Sequence, residues 1–260
     1  MRLQDRAILV TGPAKGMGGA ITRAIAAAGG DLVLIGRDMA PIEAVAAEVR
    51  ALGRDALIVR TDITDEAEVH AAVAAASAHF GSRLYGAVNV AGVSGPTGKT
   101  LWEHSVEDFR ELFDVNVLGT FLVMKTMLPE LIARQAGSIV NIGGTFGFKG
   151  VRKASLYGAT KWTLRGLTKS AALEAGGAGV RVNMVSPGGV EGARLTRQLG
   201  EEAALMGITY EERLAGFEKT SALGRMSTAD DIAEAVLFLL SSAARNITGQ
   251  DLLVDGGTIV

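Results

Sequence analysis

The sequence has no cysteine and only three histidines in 260 residues. Without cysteine, the chain has no disulfides, thiol nucleophiles or cysteine-ligated zinc and iron–sulfur centres. The histidines, His70, His79 and His104, do not have the spacing of metal ligands. The alanine-rich surroundings of the first two favour positions on the surface of a helix. The sequence therefore predicts a protein without a metal site.

The chain also lacks an excess of charge, because its 26 basic and 28 acidic residues give a net charge of −2. This balance argues against a nucleic-acid partner. No charge-free run reaches the roughly 18 residues that a membrane span needs. The N-terminal residues run into a strand-like segment without the apolar core of a signal peptide. We therefore expect a soluble cytoplasmic protein with no membrane partner.

Proline is scarce, with 5 residues, whereas glycine is abundant, with 34. No proline- or serine-rich linker divides the chain, so we predict a single domain over residues 1–260. The composition, 48% hydrophobic and 21% charged, argues against disorder. Glycine also does not recur at every third position, as it does in collagen. The glycines are therefore expected in turns and at close backbone contacts of a globular protein.

Short apolar runs alternate along the chain with longer amphipathic segments. The apolar runs are typical of parallel strands covered on both faces, and they predict strands at 7–11, 32–36, 56–60, 86–89, 138–142, 180–185 and 251–254. Helices are predicted at 18–28, 41–52, 66–80, 106–134, 156–175 and 229–240. This order predicts an α/β fold, a doubly wound parallel sheet (Rossmann fold) with helices on both faces. The charged segment at about 193–224 departs from the alternation, and we interpret it as a substrate-loop insertion.

The first glycine cluster places Gly12, Gly16 and Gly18 between the first predicted strand and the first predicted helix. Glycines at this point allow a tight turn and a close approach of the backbone to phosphate oxygens. The helix N-terminus supplies free N–H groups and a favourable dipole for a pyrophosphate. A glycine-rich loop alone is weak evidence, but the flanking strand and helix make a dinucleotide the favoured ligand.

The spacing Gly-x-x-x-Gly-x-Gly resembles that of the short-chain dehydrogenase/reductase family, and further matches follow in the family's order. They are Asp62 after the third strand, Asn89-Val-Ala-Gly92, Asn116, the pair Tyr157-x-x-x-Lys161, and the segments 181–188 and 247–257. The resemblance covers essentially the whole chain. It implies an NAD(P)-dependent oxidoreductase that interconverts a secondary alcohol and a ketone. It also implies a homotetramer with an interface at the helices 106–134 and 156–175.

The resemblance also implies roles for individual residues. Tyr157 would exchange a proton with the substrate oxygen, Lys161 would tune Tyr157 and bind the nicotinamide ribose, and Asn116 would support a proton relay. Asp62 would contact the adenine. The residues that would bind the cofactor are Gly12, Lys15, Gly16, Met17, Gly18, Arg37, Asp62, Ile63, Asn89, Ala91, Gly92, Tyr157, Lys161, Pro187, Gly188 and Val190.

The pair Tyr157 and Lys161 has a chemical logic of its own. Residues four apart share one face of a helix, so the ammonium can lie near the phenol. The phenol of a free tyrosine titrates near pH 10, and a nearby cation favours the phenolate that a general base needs. Alone, this pattern would favour a half-buried tyrosine and a solvated lysine; the flanking matches reverse that interpretation.

Two glycines stand where the family has functional side chains. Gly144 occupies the substrate-pocket position of a serine, thirteen residues before the tyrosine, whose hydroxyl would hydrogen-bond the substrate oxygen. Loss of such a donor can cost roughly 3–4 kcal/mol, or 10²–10³ in rate. Thr145 is a candidate to supply the hydroxyl, with a substrate group or a water as the alternative. Gly192 occupies the position of a threonine that holds the nicotinamide carboxamide, and backbone groups near Val190 could bind the amide instead.

Charged residues bear on the choice of cofactor and substrate. NADP needs cations near its 2′-phosphate, whereas NAD enzymes usually place an acid on the ribose. Arg37, assisted by Lys15, favours NADP(H) over NAD(H), although Asp38 could instead be aimed at the ribose. Arg152 and Arg194 border the substrate pocket by resemblance, where they could recognise a carboxylate, sulfonate or phosphate. The sequence alone favours the plain alternative, a solvated basic loop.

The sequence therefore predicts an enzyme, with a rival left open by the two glycines. The rival is a cofactor-binding regulatory or scaffold protein with weakened redox activity. An engineered Ser-to-Gly variant of a normal dehydrogenase is a third interpretation. The presence of Asn116, Tyr157 and Lys161 together favours the enzyme, because a binding module needs no activated phenol.

Overall fold

A computed structural model describes residues 3–96 and 98–260 of the chain. Their strands form one parallel sheet in the order β3-β2-β1-β4-β5-β6-β7. The strands are β1 (Ala7–Thr11), β2 (Asp31–Gly36), β3 (Ala56–Arg60), β4 (Leu84–Asn89), β5 (Gly137–Ile142), β6 (Val180–Pro187) and β7 (Asp251–Val254). The helices are α1 (Gly16–Ala27), α2 (Met39–Ala51), α3 (Glu66–Phe80), α4 (Val106–Phe113), α5 (Gly119–Ala133), α6 (Ser155–Ala175), α7 (Ala193–Met206), α8 (Tyr210–Glu218) and α9 (Ala229–Leu240). This architecture confirms the predicted doubly wound α/β fold.

Two apolar cores, one on each face of the sheet, explain why the central strands are largely apolar on both faces. Successive residues of a strand point to opposite faces. In β1, Ile8 and Val10 belong to the core beneath α1, α2 and α9, whereas Ala7 and Leu9 belong to the core beneath α3, α5 and α6. Each fully buried Leu, Ile or Val side chain stabilises the fold by about 1.5–3 kcal/mol. A polar residue in either set would lose that contribution, and β1 and β2 are accordingly almost entirely apolar, whereas the buried polar residues Asn141 of β5 and Asn183 of β6 are hydrogen-bonded.

A π-turn at Asp114–Leu118 joins α4 to α5 in one continuous helical segment. By length and composition this segment could cross a membrane. It carries the ion-paired residues Lys125 and Glu130, and one side of α5 is buried against the sheet through Leu122, Val123, Met127 and Leu131. These contacts identify it as a core helix of the α/β fold.

The segment interpreted as an insertion contains α7 and α8, both outside the sheet. Arg213 of α8 donates a hydrogen bond from Nε to Oε2 of Glu202 in α7, at 2.7 Å. The ring of Phe217 lies so close to Gly189 that a β-carbon on this glycine would overlap it. The helix pair is therefore attached to the loop after β6, and its action as a substrate cover remains a prediction.

Candidate active site

The sheet reverses its winding direction at β1, which lies between β2 and β4. In open α/β sheets, ligands bind at the carboxyl ends of the strands at such a switch point. Thr11 ends β1, and its hydroxyl oxygen accepts hydrogen bonds from the backbone N–H groups of Val90 at 2.9 Å and Ala91 at 3.0 Å. These bonds fix the loop after β4 beside the end of β1. A cleft of about 630 Å³ opens at this place.

The glycine loop forms one wall of the cleft, and its glycines are explained by backbone conformation or by close backbone contact. Gly12 and Gly16 have φ angles of 60° and 50°, in the left-handed region that favours glycine. A β-carbon on Gly18 would overlap the carbonyl oxygen of Gly12. Lys15, the residue before α1, makes no side-chain hydrogen bond to the first turn of this helix. The amides there are available to an anionic group, so the loop fits the pyrophosphate of a dinucleotide.

Two ion pairs occupy the far end of the cleft, after β2 and β3. Arg37 Nη1 lies 3.3 Å from Asp62 Oδ2, and Lys15 Nζ lies 2.9 Å from Asp38 Oδ2. The Thr64 amide and hydroxyl hold the pKa of the Asp62 carboxyl below its usual value, and the Arg37 cation lowers this pKa further. Both cations therefore face the end of the cleft where an adenosine would lie, and each is already close to a carboxylate.

Lys161 lies on α6, with only 7% of its surface exposed, beside the ring of Tyr157. Its Nζ is 5.3 Å from the ring centroid and donates a hydrogen bond to the Ile142 carbonyl oxygen at 3.1 Å. The ring of Phe146 meets the Tyr157 ring edge to face, with centroids 5.6 Å apart. The phenol is therefore oriented by an aromatic neighbour and has a buried cation on the same helix face.

Asn116 lies in the π-turn and is held on both sides of its amide. Its Oδ1 accepts from the Val93 N–H at 2.8 Å, and its Nδ2 donates to the Val93 carbonyl at 2.8 Å. The same Nδ2 donates to Thr160 Oγ1 at 3.3 Å, and this hydroxyl donates to the Tyr157 carbonyl at 2.7 Å. Asn116 thus connects the loop after β4 to the turn of α6 that carries the tyrosine. π-turns are frequent at functional sites because they redirect single residues in this way.

The adjacent glycines Gly143 and Gly144 differ in the space around them. A β-carbon on Gly143 would overlap the methyl group of Met184 and the hydroxyl of Ser186. A β-carbon on Gly144 would lie 3.8 Å from the Pro187 carbonyl oxygen and 4.0 Å from Lys161 Cγ, which are ordinary contacts. Gly144 also has an extended backbone, with φ 160° and ψ 157°. A side chain at 143 would therefore displace the ends of the Met184 and Ser186 side chains, whereas the structure accepts a serine at 144.

Thr145 begins the short 3-10 turn after Gly144, and only 6% of its surface is exposed. Within residues 3–96 and 98–260, its hydroxyl donates to no protein group, so it is available to another partner. Gly192 differs from Gly144, because its φ of 142° is a conformation that side chains rarely adopt. The backbone at 192 therefore does not accept the threonine of the family pattern without a change of conformation.

Arg194, in the first turn of α7, lines the cleft. Arg152 is exposed in the loop 149–154, and this loop is joined to the loop after β4 by a hydrogen bond from Gly98 N to the Lys153 carbonyl at 3.2 Å. In the part of the chain that the structure describes, neither arginine belongs to an ion pair. Arg194 therefore presents an unneutralised cation to the cleft, and Arg152 presents one on the exposed loop 149–154.

Most of the residues expected to bind the cofactor lie together in the cleft. The lining includes Gly12, Lys15, Gly16, Met17, Gly18, Arg37, Asp62, Ile63, Ala91, Gly92 and Val190. Tyr157, Lys161, Asn89, Pro187 and Gly188 lie outside this lining. Asn89 is buried at the end of β4, where its Nδ2 donates to Asn141 Oδ1 at 2.8 Å. Pro187 ends β6, and Gly188 follows it against Asp255.

The sequence reasoning did not find a second group of lining residues. They are Ile35, Gly36, Thr61, Thr64, Val90, Val93, Val115 and Leu195. Except for Val115, which lies in the π-turn, these residues share a position in the predicted pattern: they end or closely follow a predicted strand, or begin the insertion. Strand ends on the carboxyl edge of the sheet would have identified most of them.

The fold and the cleft define a dinucleotide-binding α/β protein, and the comparisons give its family. A family model described as enoyl-(acyl carrier protein) reductase matches residues 12–258. The inactive 2-(S)-hydroxypropyl-CoM dehydrogenase 2 of Xanthobacter autotrophicus is 40% identical over 238 residues, which are 91% of this chain and 98% of that protein. The cis-4-hydroxycyclohexanecarboxylate dehydrogenase of Sinomonas cyclohexanicum is 35% identical, over 97% of this chain and 96% of that protein.

Solved structures agree with these relatives. NAD⁺-bound xylitol dehydrogenase superposes with a TM-score of 0.93 at 27% identity, covering 99% of this chain and 100% of that chain. A single-residue variant of actinorhodin polyketide ketoreductase with NADPH superposes with a TM-score of 0.90 at 31% identity, covering 99% of both chains. The chain belongs to the short-chain dehydrogenase/reductase family. It is an NAD(P)-dependent oxidoreductase of this family.

Proposed function

We propose that the protein interconverts a secondary alcohol and a ketone, with Tyr157 moving the proton of the substrate oxygen. The observation that carries this proposal is the arrangement of Tyr157 beside the buried Lys161 ammonium, on a helix tied to Asn116. The nicotinamide, when bound, supplies the hydride acceptor or donor. In the oxidation direction, the alcohol O–H proton passes to the Tyr157 oxygen while the carbon loses its hydride. In the reduction, the same oxygen returns the proton.

Lys161 and Asn116 act through Tyr157 in this proposal. A desolvated ammonium stabilises a phenolate more strongly than a solvated one does, because the effective dielectric constant is lower around it. Asn116 fixes the position of the loop after β4 relative to the first turn of α6. In this proposal, Asn116 also supports the proton relay of Tyr157. Gly144 leaves the substrate oxygen without the hydroxyl that the family pattern places there, and Thr145 is the candidate to replace it.

A cofactor-binding regulatory or scaffold protein is the second candidate function. The observation that favours it is Gly144, together with a 40% identical relative that is named inactive. Turnover of a panel of secondary alcohols and ketones, measured with NADP(H) and NAD(H), tests the enzyme against this candidate. Cofactor binding without turnover of any panel member would support the regulatory protein. Turnover that appears only after restoration of serine at 144 would indicate an engineered or decayed enzyme.

We propose NADP(H) as the preferred cofactor, because Arg37 and Lys15 lie at the cleft end after β2. Replacement of Arg37 by alanine should lower the ratio of kcat/KM for NADP⁺ to that for NAD⁺ by roughly tenfold or more, since a charged hydrogen bond to a phosphate contributes about 1.5–3 kcal/mol. Asp38→Asn should raise the same ratio, because it frees Lys15 from a carboxylate 2.9 Å away. Steady-state kinetics with both cofactors measure the ratio.

Arg23→Ala is a matched control for Arg37→Ala. Arg23 is also an exposed arginine, on α1, but it pairs with Glu48 and lies outside the cleft lining. A strong preference of the unaltered protein for NAD⁺ would contradict the proposed cofactor.

We also propose that the substrate carries an anionic group. The unneutralised Arg152 and Arg194 support this, and one relative is named for a hydroxycyclohexanecarboxylate. Replacement of Arg194 by glutamine should raise KM about tenfold for a carboxylate substrate such as 4-hydroxycyclohexanecarboxylate, and leave KM for cyclohexanol unchanged. The comparison of the two KM values measures the charge effect.

Arg197→Gln provides the control for Arg194→Gln on the same helix. Arg197 is exposed, lies 3.8 Å from Glu201 and is not part of the cleft lining. An Arg194→Gln protein with the same KM for both substrates as the unaltered protein would remove Arg194 from the substrate site.

We propose a homotetramer in the cytoplasm for the assembled protein. Its support is the group of apolar side chains exposed on α4, α5 and α6, which a partner subunit would cover. They are Val106, Phe109, Phe121, Trp162 and Leu173.

A further inference from the structure

A buried ion pair lies beneath the substrate side of the active site, between α6 and the edge strand β7. Arg165 Nε is 3.0 Å from Asp251 Oδ2, and the Asp251 side chain is only 6% exposed. Asp251 stands opposite Met184 in the pairing of β7 with β6, and Ser186 follows two residues later on the same face. The pair therefore lies against the same strand residues that surround Gly143 and Gly144.

Arg165 also holds the segment that follows Gly144. Its Nη1 donates to the Gly147 carbonyl oxygen at 2.6 Å, and its guanidinium stacks 3.9 Å above the centroid of the Phe148 ring. Ser186 Oγ accepts a hydrogen bond from the Gly144 amide at 3.2 Å. The segment 144–148 is thus held at its start by Ser186 of β6 and at its end by Arg165 of α6.

This segment in turn contacts the tyrosine. Phe146, between the two fastened ends, packs edge to face on the Tyr157 ring. Gly158, next to Tyr157, also packs closely against this segment, because a β-carbon built on it would be 3.5 Å from the Phe146 carbonyl oxygen. A shift of the segment would therefore move the ring that orients the phenol.

A contribution to the stability of the fold does not by itself account for this ion pair. Asp251 Oδ1 and Oδ2 and Arg165 Nε have no well-aligned hydrogen bond within the residues that the structure describes. Burial raises the pKa of the Asp251 carboxyl, while the Ser186 hydroxyl and the Arg165 and Lys169 cations oppose this rise. A buried pair of this kind often contributes no more to stability than apolar residues of similar size. Its position under the segment gives it another role.

We infer that Arg165, held by Asp251, is a positioning residue that fixes the segment 144–148 and through Phe146 sets the orientation of Tyr157. The role rests on the proposed function, because it acts on the residue that moves the proton. With glycine at 144 the segment has more backbone freedom than a serine would allow. Anchoring by Arg165 compensates for that freedom.

The test compares Arg165→Met with the double variant Arg165→Met/Asp251→Asn. The single variant leaves a buried carboxylate without its cation and is expected to lower Tm. The double variant removes both charges, so its Tm should return near that of the unaltered protein. It still lacks the donor to Gly147, so amide hydrogen exchange in 144–148 should be about tenfold faster, measured on the free protein. Its kcat for the best alcohol of the panel should fall about 10- to 100-fold, with KM for the cofactor unchanged.

Two further variants distinguish a positioning role of Arg165 from a purely structural role. Arg165→Lys keeps a cation opposite Asp251 but has only one donor group, so it should restore Tm and only part of kcat. Lys169→Met separates the bonds of Arg165 from the effect of charge. Lys169 lies one turn later on α6 and its cation also acts on the Asp251 carboxyl, but it donates to the Gly249 carbonyl at 3.0 Å and not to the segment. Its exchange rates in 144–148 and its kcat should equal those of the unaltered protein.

A double variant with the Tm, exchange rates and kcat of the unaltered protein would overturn the inference. So would faster exchange in 144–148 with no loss of kcat, because the segment would then be held without effect on Tyr157. If the unaltered protein turns over no alcohol or ketone, the proposed function fails. In that case, unchanged exchange in the double variant overturns the anchoring, and faster exchange supports it.

Discussion

Replacement of Tyr157 by phenylalanine is expected to lower kcat/KM for the alcohol by roughly 10²–10⁴, the contribution of a positioned proton-transfer group. The ring remains, so its contact with Phe146 and the fold should be preserved. Only the oxygen that exchanges the substrate proton is removed. Cofactor affinity should change little, because Tyr157 does not line the glycine-loop cleft. Steady-state kinetics and a fluorescence titration with NADPH measure the two effects.

Tyr85→Phe is the matched control for this prediction. Tyr85 lies at the start of β4, so it is at the amino ends of the strands, whereas the cleft is at their carboxyl ends. The Arg6 guanidinium is 3.9 Å from the centroid of its ring. Loss of its hydroxyl should leave kcat/KM unchanged. If Tyr157→Phe retains full turnover, the proton is moved by another group and the proposed function is wrong.

The introduction of serine at Gly144 is expected to raise kcat by as much as roughly 10²–10³, the effect of one well-placed donor to the reacting oxygen. The extended backbone and the open space around this position accommodate the side chain without rearrangement. Tyr157→Phe in the same background should abolish the gain, because the donor assists a step that still needs the phenol. The rate of NADP(H) turnover with the panel substrates measures the change.

Gly143→Ser is the control that distinguishes a specific gain from a general effect of adding a hydroxyl. Its β-carbon would displace the ends of the Met184 and Ser186 side chains, and its hydroxyl would lie one residue away from the family position, so this variant should not raise kcat. An unchanged kcat in Gly144→Ser would show that the substrate oxygen already has a donor. Thr145→Val would then be expected to lower kcat.

Several parts of the molecule could be predicted from the sequence, because short-range patterns determine them. The apolar runs predicted β1, β3 and β7 at their observed bounds, and the other strands within a few residues. Helices α3 and α9 also have their predicted bounds. The glycine loop could be located for the same reason, since its strand, turn and helix are adjacent in the chain. Family resemblance then placed Tyr157 and Lys161 on one helix, and the structure shows them close together.

Features that depend on residues distant in the chain could not be predicted. The sequence alone does not distinguish the space around Gly143 from the space around Gly144. Only the positions of Met184 and Ser186 in the structure show that the space at 143 is filled and that the space at 144 is open. The pairs of Lys15 with Asp38 and Arg37 with Asp62 join separate strand ends, so the cations were predicted but their partners were not. Asp251 gave no signal at all, because a single acid at the start of a predicted strand resembles a surface residue.

The π-turn between α4 and α5 also escaped prediction, because the apolar period continues through it. A π-turn holds one residue more than an α-helical turn in about the same rotation, so the extra residue does not change the face that α5 presents. Deletion of one residue at 114–118 should therefore restore a regular α-helix and keep the stripe Leu122, Met127 and Leu131 on the sheet. The deletion would remove the local geometry that places Asn116 beside Val93. The extra residue in this helix thus contributes to the site rather than to the fold.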